Sequence, residues 1–234
     1  MKPVSYLGRR AYQWENQELR VTVVAEGGHI AEIFHKGKGI NPLWTPPWPS
    51  IDPSTYSAAK HPEYGTGPEA KLLSGILGHN WCVDFFGPPS EEEARAGYSV
   101  HGEASIVPYD EELRAHLPLS QRKREVDGAK SRVAEDVENL LPFDRHIAWQ
   151  EHVTLGPPFL ERGVTRLEAP ILRSAKLNEG EFEWKDRTYP SSLLSADYHA
   201  HLLTKGEVKV TNPKLGLRIG YEWNLQDFPW LGIW

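Results

Sequence analysis

From Glu18 to Phe34 the chain alternates apolar and polar residues with a period of two and interrupts that alternation at a glycine pair, a pattern that suits a β-hairpin and not a helix. In ELRVTVV, Leu19, Val21 and Val23 fall on one face, Arg20 and Thr22 on the other, and Gly27-Gly28 supplies the turn into HIAEIF. The alternation returns in LGLRIGYEW, where Leu217, Ile219, Tyr221 and Trp223 oppose Arg218, Gly220 and Glu222 after an Asn212-Pro213 turn. Between Gly37 and Pro68, proline and glycine crowd the chain, and Pro46-Pro47-Trp48-Pro49 is incompatible with a long helix or a central strand. A long loop is expected there, and its Trp44, Trp48, Tyr56 and Tyr64 suggest that it packs as one wall of a site. The one clear helix signal is short: Ser90 stands three residues before Glu93, with Glu91 and Glu92 at the start and Gly97 as the stop. No repeat or low-complexity tract is visible. These patterns predict an all-β chain.

A chain of 234 residues is long enough to bury a substantial core, and one domain over 1–234 is expected, since sandwiches and barrels of this size commonly form a single unit. The net charge of -6, with acidic and basic residues mixed, lacks the basic stripe that neutralises phosphates, so nucleic acid is not an expected partner. Cys82 is the only cysteine, which rules out an intrachain disulfide and argues against a cysteine-based zinc site. No apolar run matches a signal peptide or a membrane span, so a soluble, cytoplasmic protein is expected, with no membrane partner.

Two segments carry histidines on polar strand faces. In SVHGEASIV, a period-two reading groups His101, Glu103 and Ser105 against Val100, Ala104 and Ile106; in WQEHVTL it groups Gln150, His152 and Thr154 against Trp149, Glu151, Val153 and Leu155. Two imidazoles facing a cavity suit acid–base chemistry on a polar, uncharged ligand such as a sugar. His79 and Asn80, in Gly78-His79-Asn80, are further candidates for binding it, the alternative being a turn whose imidazole caps backbone groups. Trp48 offers a ring on which the apolar face of a sugar can stack. His199 and His201 alternate on one face and could hold a metal, but with no third ligand identified, no metal site is assigned.

The glycine pair and strand of GGHIAEIF, LLSGILGHNWCVDFFGPP, HGEAS, ENLLPFDRHIAWQEHVTLGPPFL and the closing FPWLGIW, in this order from about Val21 to Trp234, resemble the aldose 1-epimerase-like group of the galactose mutarotase superfamily. The resemblance implies an antiparallel β-supersandwich with a sugar-binding cleft, and an isomerase that interconverts aldose anomers without a metal or organic cofactor. It implies that His101 corresponds to the first family histidine and His152 to the second, the usual acid at the ring oxygen. Glu103 would bind a hydroxyl or orient His101.

The family's base is a glutamate beyond the segment similar to FPWLGIW, and no position here matches it. Against what the resemblance implies, the stretch from Val107 to Glu138, with its short charged pieces Leu113–Leu117 and Arg132–Val137, is compressed, so the chain reads as a shortened, engineered or incomplete version of a family member. Glu103 or Glu222 is then the substitute base, and a carbohydrate-binding protein without turnover is the alternative. A phosphorylated sugar would need cations at the cleft mouth, for which Arg145 and Arg162 are the candidates.

Overall fold

The computed structural model describes residues 1–84, 86–95, 98–110, 114–115, 120–127, 129–137, 142–144, 146–176, 179–185, 187–189 and 198–234. The predicted helix stop Gly97, the ends of the Leu113–Leu117 piece and Arg145 lie outside them. Among the described residues strands dominate and every pairing is antiparallel, and the chain divides into two compact units, Met1–Gly156 and Pro157–Trp234. The all-β expectation is met.

The first unit begins with β1 (Lys2–Tyr6) and β2 (Arg9–Glu15), joined by a turn in which Leu7 and Gly8 both have positive φ. The hairpin read from the sequence follows as β3 (Leu19–Val24) and β4 (Ile30–His35), with Gly27 and Gly28 at φ +81° and +62° in its turn. A side chain at Gly27 would run into the Ser105 carbonyl, so close approach as well as conformation requires glycine there. β5 (His79–Asp84) touches β4 at a single pair, Ile30 with His79, and pairs along its length with β9 (Ala148–Val153). The six strands lie in the order β1-β2-β3-β4-β5-β9. A smaller sheet joins β6 (Arg114–Ala115), β7 (Ser120–Asp127) and β8 (Lys130–Asp136). Tyr12, Val21, Val23, Ile30, Leu43, Trp81, Val83, Ala104 and Tyr109 form the main core of the first unit.

The proline-rich segment is ordered by local contacts. Pro53–Thr55 and Pro62–Tyr64 make single 3₁₀ turns, each with proline where a missing N–H costs nothing, and helix α1 (Ala70–Gly75) follows. Arg9, almost wholly buried, ties this segment to the sheet: it donates to Asp52 Oδ1 at 2.8 Å, Ser50 Oγ at 3.0 Å, the Gly75 carbonyl at 2.7 Å and the Glu26 carbonyl at 2.7 Å. The Glu26 carboxylate in turn accepts from the backbone N–H and hydroxyl of Ser54. The helix read at Ser90 is present as α2 (Glu91–Arg95), and its capping box is reciprocal, Ser90 N–H to Glu93 Oε2 at 2.7 Å and Glu93 N–H to Ser90 Oγ at 3.2 Å.

The second unit holds two antiparallel sheets. One has the order β10-β14-β15, from β10 (Arg166–Glu168), β14 (Glu207–Asn212) and β15 (Leu217–Glu222), the last within the strand read from the sequence. The other has the order β12-β11-β13-β16, from β11 (Ile171–Lys176), β12 (Gly180–Phe182), β13 (His199–Leu203) and β16 (Trp230–Ile233). Ala169, Leu203 and Val208 are the buried centre of this unit, with Leu167, Ile171, Tyr221 and Leu231 packed around them.

Replacing Arg9 by methionine keeps the apolar stem but leaves the Gly75 and Glu26 carbonyls and Asp52 without their donor. We expect a loss of about 3 kcal/mol in urea unfolding, the scale for removing one member of a buried ion pair. Arg9→Lys should recover only part of it, since one ammonium cannot reproduce the planar fork that reaches all four acceptors.

Candidate functional site

The sequence reading of residues 99–107 as a strand is corrected by the structure. The segment is a run of turns: Gly102 N–H bonds the Ser99 carbonyl, Ile106 N–H bonds the Glu103 carbonyl, and both His101 and Gly102 have positive φ, +64° and +82°. Alternation of side chains is a property of extended backbone, and this backbone is not extended. Gly102 is required twice over, by its φ and because a Cβ there would sit 1.9 Å from the Val83 carbonyl oxygen. For His101 the left-handed conformation is unfavourable, and the histidine is one of two non-glycine residues with positive φ among those described.

That turn nevertheless brings the two histidines together. The rings of His101 and His152 have centroids 5.4 Å apart and are tilted by 38°. His101 is held on both sides by Gly87, whose carbonyl accepts from the His101 N–H at 3.1 Å and whose N–H donates to Nδ1 at 3.1 Å. His152, in β9, is cross-strand partner to Asn80 in β5, and its Nδ1 lies 3.1 Å from Asn80 Oδ1. Asn80 Nδ2 donates to Ser105 Oγ at 3.0 Å, and that hydroxyl donates to the Trp81 carbonyl at 2.6 Å. Asn80 and Ser105 are fully buried, so both ends of the Asn80 amide are occupied inside the protein. The hydrogen bonds described engage Nδ1 of both rings, and none engages Nε2 of either.

Of the remaining candidates, His79 lies on the face of β5 opposite Asn80. Adjacent residues of a strand point to opposite sides, and His79, next to Asn80, bonds Glu151 Oε2 through Nε2 at 2.6 Å. It is 3 % exposed and stands apart from the histidine pair as part of a His–Glu contact. Glu103 is half-buried in the turn after Gly102, and its carboxylate has no hydrogen bond or ion pair among the described residues. Trp48 donates from Nε1 to the Leu73 carbonyl at 3.0 Å and packs edge-on against Trp44 at 5.6 Å, so the aromatic loop is anchored on α1. Cys82, cross-strand from Gln150, is buried and its thiol is pushed up to about 12, mainly by desolvation. Ser105 was grouped by the sequence with His101; its actual role as the anchor of Asn80 depends on a turn that periodicity does not encode.

Burial lowers both imidazoles. His101 is pushed down to about 4, first by desolvation and then by the neighbouring His152; His152 is lowered by desolvation, partly offset by a hydrogen bond to its own backbone. At neutral pH the pair is therefore two uncharged rings, each with one N–H and one lone pair.

In the second unit His199 and His201 lie on β13 with ring centroids 5.9 Å apart. His201 is fully buried, bonded through Nδ1 to Ser174 Oγ at 2.8 Å and stacked on Trp184 at 4.5 Å. Among the described residues no group of three or more His, Cys, Asp or Glu stands close enough to hold a metal. No helix among them is long and apolar enough to cross a membrane.

No protein-family model matches the chain, and no curated protein or solved structure matches it.

The lowered imidazoles set a pH window for stability. His101 has a folded-state pKa near 4 against an ordinary 6.5, so between those values the unfolded chain binds more protons than the folded one. Its contribution is intact above about pH 6.5 and is lost as pH falls toward 4. Urea midpoints measured from pH 7.5 to 4.5 should fall on the acid side, and His101→Asn should flatten that fall. An equally steep fall in the variant would remove His101 as its source.

Proposed function

We propose that the chain is a carbohydrate isomerase of the aldose 1-epimerase type, acting on a small-molecule sugar through His101 and His152. The observation that carries this reading is the convergence of two neutral imidazoles, 5.4 Å apart, from segments about fifty residues distant in sequence. Anomer interconversion requires a proton to leave the anomeric hydroxyl O1 and a proton to reach the ring oxygen O5, and then the reverse on the other carbonyl face. A neutral imidazole that can accept a proton, beside a second that can donate a hydrogen bond, suits that reaction, which needs no metal or organic cofactor. The antiparallel sheets support the β-supersandwich form of the fold. A cytoplasmic location goes with this reading and is supported by the single, buried thiol.

Within this reading His79 and Glu103 are not needed for proton transfer, and Trp48 is a wall residue whose ring packs on Trp44. The pair itself carries the chemistry.

The test is polarimetry. The optical rotation of freshly dissolved α-D-glucose and α-D-galactose should relax faster with the purified protein, and His152→Ala should slow the catalysed rate by about two or more orders of magnitude, the usual scale for an acid–base group. A catalysed rate unchanged in His152→Ala would sink this assignment. Saturable sugar binding without acceleration would mark a carbohydrate-binding protein without turnover.

A further inference from the structure

The hydrogen bonds behind the two histidines run in one direction only. The Trp81 carbonyl oxygen has no proton, so the Ser105 hydroxyl 2.6 Å away must donate to it. With its single proton committed, Ser105 Oγ is an acceptor toward Asn80, which must present Nδ2 there at 3.0 Å. That fixes which way the carboxamide faces and turns Oδ1 toward His152. Oδ1 can only accept, so the proton on His152 sits on Nδ1, 3.1 Å away, and Nε2 carries the lone pair. For His101 the logic is opposite. The Gly87 main-chain N–H can only donate, so Nδ1 of His101 is the acceptor at 3.1 Å and its proton sits on Nε2.

We infer that Ser105 and Asn80 are positioning residues that lock His152 in its Nδ1–H tautomer, so that the histidine pair presents one fixed base, His152 Nε2, beside one fixed donor, His101 Nε2–H. Each chain of bonds ends on a main-chain group, which cannot exchange donor for acceptor as a side-chain amide can by flipping. Burial of Asn80 and Ser105 keeps water from substituting for either partner.

The consequence for catalysis rests on the function proposed above; the tautomers do not. On an aldose, His152 Nε2 takes the proton from O1 as the C1–O1 double bond forms and the C1–O5 bond breaks, its electron pair passing to O5. His101 Nε2–H donates a hydrogen bond to that oxygen, and the His152 imidazolium then delivers the same proton to it, ending neutral. Rotation about C1–C2 and the reverse sequence give the other anomer. O1 and O5 are bonded to the same carbon, so one imidazole can serve both, and the cycle closes with no carboxylate base.

The experiment is long-range ¹H–¹⁵N correlation on the full chain labelled with ¹⁵N-histidine near pH 7.5, with His152→Gln and His101→Asn used for assignment. Expected are a protonated Nδ1 and unprotonated Nε2 for His152, and the reverse for His101. A protonated Nε2 on His152 would overturn the inference whatever the activity. Ser105→Ala removes the anchor and frees the Asn80 amide to turn, so His152 should become a mixture of tautomers and kcat should fall about tenfold with KM changed less, the pattern of lost acid–base efficiency. Asn80→Asp, which can only accept, should keep His152 protonated at Nδ1. A folded Ser105→Ala protein with the single Nδ1–H tautomer intact would refute the lock. Tautomers as assigned in a protein that accelerates no mutarotation would support the lock and refute the isomerase reading, so the two fail separately.

Discussion

The meeting of β4 and β5 at a single residue pair is the constraint from which the candidate site follows. Beyond Ile30 and His79 the two strands diverge, and the edge groups of β5 would be left without hydrogen bonds inside the protein, at a cost comparable to lost bonds. The segment around 102–109 is pinned chiefly to the β3–β4 connection and reaches β5 through Ser105. Tyr109 N–H reaches the Ala25 carbonyl, Gly27 N–H reaches the Val107 carbonyl, His29 Nε2 bonds the Ser105 carbonyl, and Ser105 Oγ satisfies the Trp81 carbonyl. Gly102 passes so close to Val83 that no side chain fits. His101 is carried at the head of this insert, and its distance from His152 is set by how the insert is pinned.

Buried imidazoles are put to several uses in the same unit. His29 is fully buried and spans two backbone groups, accepting from the Leu77 N–H through Nδ1 and donating through Nε2, so it serves as a structural strut. His79 is engaged by Glu151. In His101 and His152 the hydrogen bonds described engage only Nδ1. Burial pattern alone does not separate these cases; the disposition of the second ring nitrogen does.

Much of the strand content was legible because alternation, paired glycines and capping spacing are local signals. β3, β4, β9 and β15 lie where the period of two placed them, and the Ser90–Glu93 capping box is reciprocal. The first hairpin escaped because Pro3 and the Arg9-Arg10 pair mask its weak alternation, although Leu7-Gly8 marks its turn. The site was half legible. His152 and Asn80 share a cross-strand pair that no local pattern reveals, and the alternating SVHGEASIV proved to be turns because Gly102 and His101 take left-handed backbone and the segment bonds to β5 through a side chain. Parity explains why His79 and Asn80, neighbours in sequence, do not share a role.

Cys82 lies in β5 two residues beyond Asn80, cross-strand from Gln150, in the ladder that positions His152. With its thiol buried and pushed up to about 12, it is chemically silent while β5 and β9 stay paired. As the chain's only sulfhydryl, it makes the protein its own clock: the rate at which a small alkylating reagent consumes the single thiol counts the openings of the strand pair that holds His152. Residues that stiffen or loosen the strand pair can thus be ranked by their effect on that clock, with no ligand present.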